Sequence, residues 1–524
     1  MTLPDLSRRA FIAAASAAGV SACGRREADP EGMLRVAIDT EPDSLDPLKG
    51  QFAASALLYK QLHAPLTEYS PSGGLAPGLA ASWRTQDGTV WIFRITPGLR
   101  WSDGAPLNAH DVVWTARRAV DPATGFANLG DFFAVQGARD ALAGRIAPED
   151  IGVEAPDDLT VIFRMSQPVG AFPVLMREFY PLPRHAVEAS PDRWTRAENW
   201  VGAGPYVLTQ STQLSWRLAR NPHFHAADTV SIPNVSVEVV EDPATRTRMF
   251  RAGDLDLADQ PPAEQIGFLQ SQLGERLRAF RAPILTYLKV NHRREGLSDP
   301  RVRRALSMAV DRDFLAREFF SGEAGPALSV IPPDPEAERP EGAARPNTEG
   351  ARLLLEEAGF GPDNPLSLTL RATAGGRERL AVSLADDFAQ AGVRTEIIAT
   401  YPVDMYQAVA GGEYDLALGR FDRGLKSEED FMLEPFAPGG FADDHGWTGP
   451  ERDRFAALMA AARAEIGRED RARRHREAEA VFLSEQVNIP LLHERAFWMV
   501  SERVRGMPSG LQPQLWRDLR LETR

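Results

Sequence analysis

The chain has 524 residues, 43% of them apolar, which suffices for a large core and, by length, two to four domains. A formal net charge of −14 argues against nucleic acid as a partner. The single cysteine, Cys23, excludes an intramolecular disulfide, so packing has to supply the stability.

Ser7-Arg8-Arg9-Ala10-Phe11-Ile12 reads as a twin-arginine export signal. The Ala-rich run that follows, to Val20, is too short to span a bilayer as a mature helix. Val20-Ser21-Ala22-Cys23 then reads as a lipoprotein cleavage box. Residues 1–22 are therefore expected to be removed, with lipid on Cys23 and residues 23–32 as a charged tether. A disordered leader with an incidental cysteine is the alternative. No later run of 18 apolar residues predicts a membrane span.

From Met33 the text is globular. Strands are expected at Leu34–Ile38, Val90–Ile95 and Leu159–Phe163. Asn108, with Asp111 three residues on, signals a capped helix. Asp299-Pro300 opens another, in which Val302, Ala305, Leu306, Ala309, Val310 and Phe314 recur at helical spacing. Asn347 caps a helix stopped by Gly359. Leu380, Leu384, Phe388 and Ala391 form a further stripe, stopped by Gly392. Strands at Val393–Ala399 and Tyr414–Leu418 complete an α/β alternation that favours a mixed sheet covered by helices.

Seven blocks in this order carry a family resemblance: Glu41-Pro42-Asp43-Ser44-Leu45-Asp46-Pro47, Leu75–Trp83, Phe93–Val113 with Trp101-Ser102-Asp103-Gly104, Val201-Gly202-Ala203-Gly204-Pro205-Tyr206, Arg220-Asn221-Pro222, Ala252-Gly253-Asp254-Leu255-Asp256 and Asp299–Leu306. Together they resemble the extracytoplasmic solute-binding proteins of the oligopeptide, dipeptide and nickel class, over roughly residues 33 to 520. The insert Arg139–Asp158 is most similar to the oligopeptide-binding branch. The resemblance implies a two-lobed α/β periplasmic binding protein fold (type II, cluster C-like) with an inserted domain and a hinge-closed cleft. Its first lobe would comprise residues 33–61, 200–288 and 488–524, its inserted domain 62–199, and its second lobe 289–487. Hinge strands are expected near Val201–Gly204 and Thr286–Asn291. Most of the motifs are expected to shape turns and domain contacts and to touch no ligand.

The implied function is capture of short peptides or similar solutes, without a cofactor, by a monomer that serves an ATP-driven permease. A non-peptide, anionic solute, or an envelope sensor or chaperone without a permease, is the alternative. Strands from both lobes would grip the ligand backbone. The resemblance places this grip at Gln51, Phe52 and Ala53 on one side and at Gly419, Arg420, Phe421 and Asp422 on the other. Peptide-binding relatives carry tryptophan where Arg420 stands, and an amine-pairing acid three residues later, at Arg423 or, counted back from Phe431, Gly424. Asp422 either takes over as the amine anchor or caps a turn. Arg420 either clamps a carboxylate or phosphate or is a solvated rim residue.

The sequence has no H-E-x-x-H, G-x-S-x-G or P-loop motif and no thiol beyond Cys23, so no enzyme is expected. His223-Phe224-His225 would put two histidines on one face if it were a strand, but a loop is expected there, and no metal site. Asp443-Asp444-His445 is expected to face solvent. Arg468–Arg476, mixed with acids, is expected to form a charged helix face.

Overall fold

Local signals act first. The computed structural model describes residues 32–70, 74–125, 134–262, 265–332, 340–422, 429–440, 442–443, 445–507 and 515–522. The export signal, Cys23 and the tether lie outside them. Strand β1 (Met33–Ile38) opens the fold. In the turn after it, Asp46 Oδ1 accepts from the Leu48 amide, and both carboxylate oxygens meet Arg118 at 2.7 and 3.2 Å. The Ser44–Pro47 block is thus architectural, fixing a turn against the rest of the lobe. Helix α1 (Ala53–Leu62) follows.

A small sheet comes next, built from β2 (Ala80–Arg84), β3 (Val90–Ile95), β4 (Val153–Asp157) and β5 (Thr160–Arg164) in the order β2-β3-β5-β4. Helix α2 (Ala109–Val120) packs over it. The expected cap is present: Asn108 Oδ1 accepts from His110, and Asp111 accepts the Asn108 amide at 3.0 Å. Phe93 and Phe163 from this sheet share one hydrophobic cluster with Leu34 and Val36 of β1.

The chain then returns through β6 (Tyr206–Ser211), β7 (Ser215–Arg220), β8 (Asn234–Val239), helix α3 (Pro243–Ala252) and β9 (Leu257–Asp259). Strand β10 (Leu277–Val290) is fourteen residues long. Helix α4 (Pro300–Ala309), capped by Asp299, is shorter than its apolar pattern suggested. Asp311 caps a separate helix, α5 (Arg312–Phe320), and leaves Phe314 exposed. The short polar cap outcompetes continuation of the first helix.

Helix α6 (Thr348–Glu357), strand β11 (Ser367–Thr373), helix α7 (Gly376–Gln390), strand β12 (Arg394–Thr400), helix α8 (Pro402–Ala410) and strand β13 (Leu416–Asp422) give the expected alternation. Helices α9 (Pro450–Ala464) and α10 (Arg468–Ser484) precede the long β14 (Asn488–Val500). The charged run on α10 does not stay in solvent. Arg471, His475 and Glu479 are buried, and Glu479 accepts the Val330 and Ile331 amides at 2.8 Å. No helix among the described residues is long and apolar enough to cross a membrane.

The main sheet runs β12-β11-β13-β10-β14-β9-β1-β8-β7-β6, with the two-residue strand Gly325–Pro326 also paired to β14. Strands β10 and β14 sit in its middle, and the molecule divides around them into two lobes. One side holds the core of Leu34, Val36 and Phe93, plus that of Phe250, Leu269 and Met499. The other holds two clusters, one on each face of the sheet. Leu288 and Leu418 point into one, Tyr287 and Phe421 into the other, as strand alternation requires.

The crossing between lobes differs from expectation. Strand β10 pairs with β14 throughout, but with β13 only from Ile284 onward. The register shifts between Arg281 and Ile284, opposite Arg495 and Glu494. The crossing therefore lies in this bulge, a few residues before Thr286. Val201–Gly204 is not a hinge between the lobes. Gly204 donates to the Leu62 carbonyl, and Gly202 accepts from the Ser102 amide, where the small inserted sheet returns to the first lobe.

Candidate functional site

Ligands of open α/β sheets sit outside the carboxyl ends of parallel strands. Here β1 and β9 are parallel and end at Ile38 and Asp259, the latter opposite Trp498 of β14. In the other lobe β11, β12 and β13 are parallel. Strand β13 ends at Asp422, opposite Ile284, whose other neighbour is Glu494. The two sets of strand ends thus approach one stretch of β10 and β14 from opposite directions. That stretch is the crossing, and the space over it is the candidate cleft.

The expected grip from the first lobe is not a strand. Gln51 and Phe52 donate their amides to the Asp43 carboxylate at 2.7 and 3.2 Å, and Ala53 already begins α1. The Asp43 side chain turns the chain into the helix, so these residues cannot extend a ladder through those amides. Burial raises the Asp43 pKa and the Ser55 hydroxyl and the two amides lower it; the net shift is downward, and the carboxylate stays charged. Phe52 remains 51% exposed.

On the second lobe, Gly419 to Asp422 do form the end of a strand, β13. Strand β11 is in register with β13 only at Leu416 and Ala417, whereas β10 accompanies it to Asp422. Glycine is required at 419, because a Cβ there would lie 2.7 Å from the Tyr287 ring. Phe421 is a core residue. Its ring packs on Tyr287 and Phe436, so toward a ligand it has only its backbone. Arg420 Nε donates to Glu494 Oε2 at 2.9 Å, and the buried Thr286 hydroxyl donates to the other carboxylate oxygen. The Asp422 side chain, Arg423 and Gly424 lie outside the described residues.

The sequence reading missed the charged and aromatic groups at the other strand ends. Arg377, in the first turn of α7, follows β11. Burial lowers its pKa; Glu494 acts against that and Arg420 with it. Tyr401, Val403 and Tyr406, at the start of α8 after β12, are 77, 66 and 71% exposed. On the first lobe, Asp39 follows β1 and Asp259 ends β9. Burial and the Asp39 charge push Asp259 up to about 7, although Arg246 opposes this. Gln260 ties the pair together, donating to Asp39 at 3.2 Å from a left-handed backbone. One signal could have found all of them: each lies within a few residues of the end of a parallel strand.

The histidine motifs fall elsewhere. Asn221–His225 is a turn, in which Asn221 Oδ1 accepts from the His223 amide, so the two imidazoles do not share a strand face. His445 is fully buried against His292, not solvent-facing, and burial pushes its pKa down to about 3. Asp443 pairs with Arg452. Among the described residues no group of three or more His, Cys, Asp or Glu could hold a metal ion.

The profile of the bacterial extracellular solute-binding proteins, family 5 Middle, matches residues 74–443. The chain belongs to this family. It is 28% identical to the periplasmic oligopeptide-binding protein OppA of Haemophilus influenzae, over 90% of each chain. It is also 28% identical to the probable deoxycholate-binding periplasmic protein YgiS of Escherichia coli, over 91% of each. The unliganded open form of the periplasmic murein tripeptide binding protein MppA superposes with a TM-score of 0.80 at 22% identity, over 94% of this chain and 98% of that one. This family 5 chain is thus a periplasmic-type binding protein of the two-lobed type II fold, and not an enzyme.

Proposed function

We propose that this chain captures short peptides or peptide-like solutes in the cell envelope and passes them to a membrane permease of an ATP-driven importer. The observation that carries the reading is the approach of both sets of strand ends to the middle of β10 and β14, in a chain of family 5. Binding needs no chemical change and no cofactor. The lobes close by bending at the Arg281–Ile284 bulge and its partners Glu494–Arg495.

On this reading residues 33–61, 200–288 and 488–524 form the first lobe, 62–199 the inserted domain and 289–487 the second lobe. The protein acts as a monomer, exported through its twin-arginine signal and tethered by lipid on Cys23. Cys23→Ser then releases a folded, soluble protein. Asp422 supplies the amine anchor, and Asp422→Asn costs about 2–5 kcal/mol of peptide affinity.

Mass spectrometry of the protein purified from the envelope tests the reading. Unmodified peptides released on denaturation are expected. A protein that carries no peptide, and whose melting point a library of di- to pentapeptides does not move, refutes it.

A further inference from the structure

The first lobe gathers arginines at the end far from the cleft. A cavity of about 440 Å³ opens at the amino ends of the parallel strands β1 and β9, whose carboxyl ends face the crossing. Arg35 of β1, Arg251 in the last turn of α3, Arg276 just before β10, and Arg503 and Arg505 after β14 line it. Glu502 and Glu522 line it as well. In a chain of net charge −14, five guanidinium groups around one hollow are a local departure.

Two of the five are spent on structure. Asp256, buried beneath the cavity, takes Arg35 on both oxygens at 3.1 Å, and Arg35 has further contacts. Arg505 is held by Glu522 at 2.8 and 3.0 Å. The other three keep donors to offer. Arg503 reaches Asp256 through one nitrogen only, at 3.4 Å. Arg276 meets Glu502 at 3.7 Å, and Glu502 is 82% exposed. Arg251 has no hydrogen bond or ion pair among the described residues. These three come from separate elements, so the fold and not one helix face brings them together.

We propose that this cavity binds the phosphate of an anionic phospholipid headgroup in the membrane to which Cys23 tethers the chain. Guanidinium forks match phosphate oxygens in parallel hydrogen bonds. The tether supplies the source: Met33 follows Cys23 by ten residues, about 35 Å of extended chain at most, and Arg35 is two residues further on. This rests on the lipid-anchor reading above. Seated on headgroups at this end, the protein turns the cleft at the other end of the strands toward the envelope, where solute arrives. Delivery to a permease then requires release from the lipid.

Co-sedimentation of the full chain carrying Cys23→Ser tests the cavity without the anchor. The vesicles are phosphatidylcholine alone, or equal parts phosphatidylcholine and phosphatidylglycerol. Binding to the anionic vesicles only is expected. Arg251→Gln and Arg276→Gln should each weaken it about fivefold, the usual effect of one arginine at an anionic surface. Arg379→Gln, at an exposed position of α7 in the other lobe, removes the same charge and should change little. Residues 1–22 are common to all these chains, so the differences report the cavity. Equal binding by the three variants, or no binding to either vesicle, overturns the proposal. Calorimetry with glycerol phosphate separates the sources. Binding that Arg251→Gln weakens, without vesicle binding, overturns the membrane as occupant and leaves a site for free phosphate esters. The other occupant would be the chain's own Glu27, Asp29 and Glu31, which lie outside the described residues. Vesicle binding that appears only when these three are replaced by glutamine assigns the cavity to them and overturns the lipid. Mass spectrometry of Cys23 from the envelope judges the anchor separately: an unmodified cysteine overturns that reading and not the cavity.

Discussion

Two junctions hold this molecule together, and they are built in opposite ways. Where the small inserted sheet returns to the first lobe, backbone meets backbone. A Cβ on Gly204 would lie 2.4 Å from the Leu62 carbonyl carbon and 2.5 Å from the His63 amide. Gly202 is equally close to the Leu62 carbonyl oxygen. One hydrophobic cluster runs across this junction from Phe93 to Leu34. Where the first lobe meets the second, two strands cross with a bulge between them, and each lobe keeps its own core. A peripheral contact supplements the strands: the Gly170 amide donates to the Arg463 carbonyl at 2.7 Å. A chain can re-enter a domain at a rigid joint or a soft one. What distinguishes them is the apolar area shared across the joint, not the number of strands that pass through it.

The largest expected effect comes from breaking the rigid junction. Gly204→Ala forces a methyl group into the end of α1 and should cost about 3 kcal/mol by overpacking. Urea denaturation measures it. A loss under about 1 kcal/mol would mean that this junction is no tighter than an ordinary core contact.

Next comes the platform that supports the peripheral contact. Glu434, in the short helix Glu429–Phe436, holds Arg463 at 2.5 Å and faces His475. Glu434→Gln should cost about 2 kcal/mol, since Arg463 is 35% exposed and water screens part of the lost interaction. Burial alone would raise the Glu434 pKa, but His475 and Arg463 hold it down to about 2, below the ordinary 4.5. A depressed carboxyl contributes stability that is present above the unfolded value and lost as pH falls toward the folded one. The protein should therefore weaken between about pH 4.5 and 2 by more than the Glu434→Gln variant does. Parallel acid profiles would remove Glu434 from the account.

The smallest change in stability belongs to the soft junction. A Cβ on Gly170 would lie 2.0 Å from the Glu465 carbonyl oxygen. The lobes can relieve this by separating, so Gly170→Ala should leave the urea midpoint nearly unchanged. Small-angle scattering should instead show a larger radius of gyration. An unaltered radius with a lowered midpoint would make this contact part of a rigid joint.

The comparison also explains what was legible beforehand. Asn108 with Asp111, Asp299 with Pro300 and Asn347 each announced a helix start, and each caps one in the structure. Those signals are local: a side chain bonds an amide two or three residues away. The stripe Leu380, Leu384, Phe388 and Ala391 is buried as its spacing requires. The local structure of the expected site segments was half legible. Gly419 to Asp422 end a strand at the lobe crossing, but Gln51 to Ala53 enter a helix because Asp43 takes the Gln51 and Phe52 amides. Phe421 proved to be core, since a strand position alone does not reveal which face is covered.

The sequence by itself determined the helix starts, the α/β order, the family and the turn-forming character of its blocks. All of these depend on residues close together in the chain or on their fixed succession. Only the tertiary structure decided where the strands cross between the lobes, that Arg471, His475 and Glu479 of a charged helix lie inside, and that Arg420 faces Glu494. Arg420 and Glu494 are 74 residues apart in the chain. Burial and charge pairing are properties of neighbours in space, and the pairing of β10 with β13 and β14 is what makes these residues neighbours.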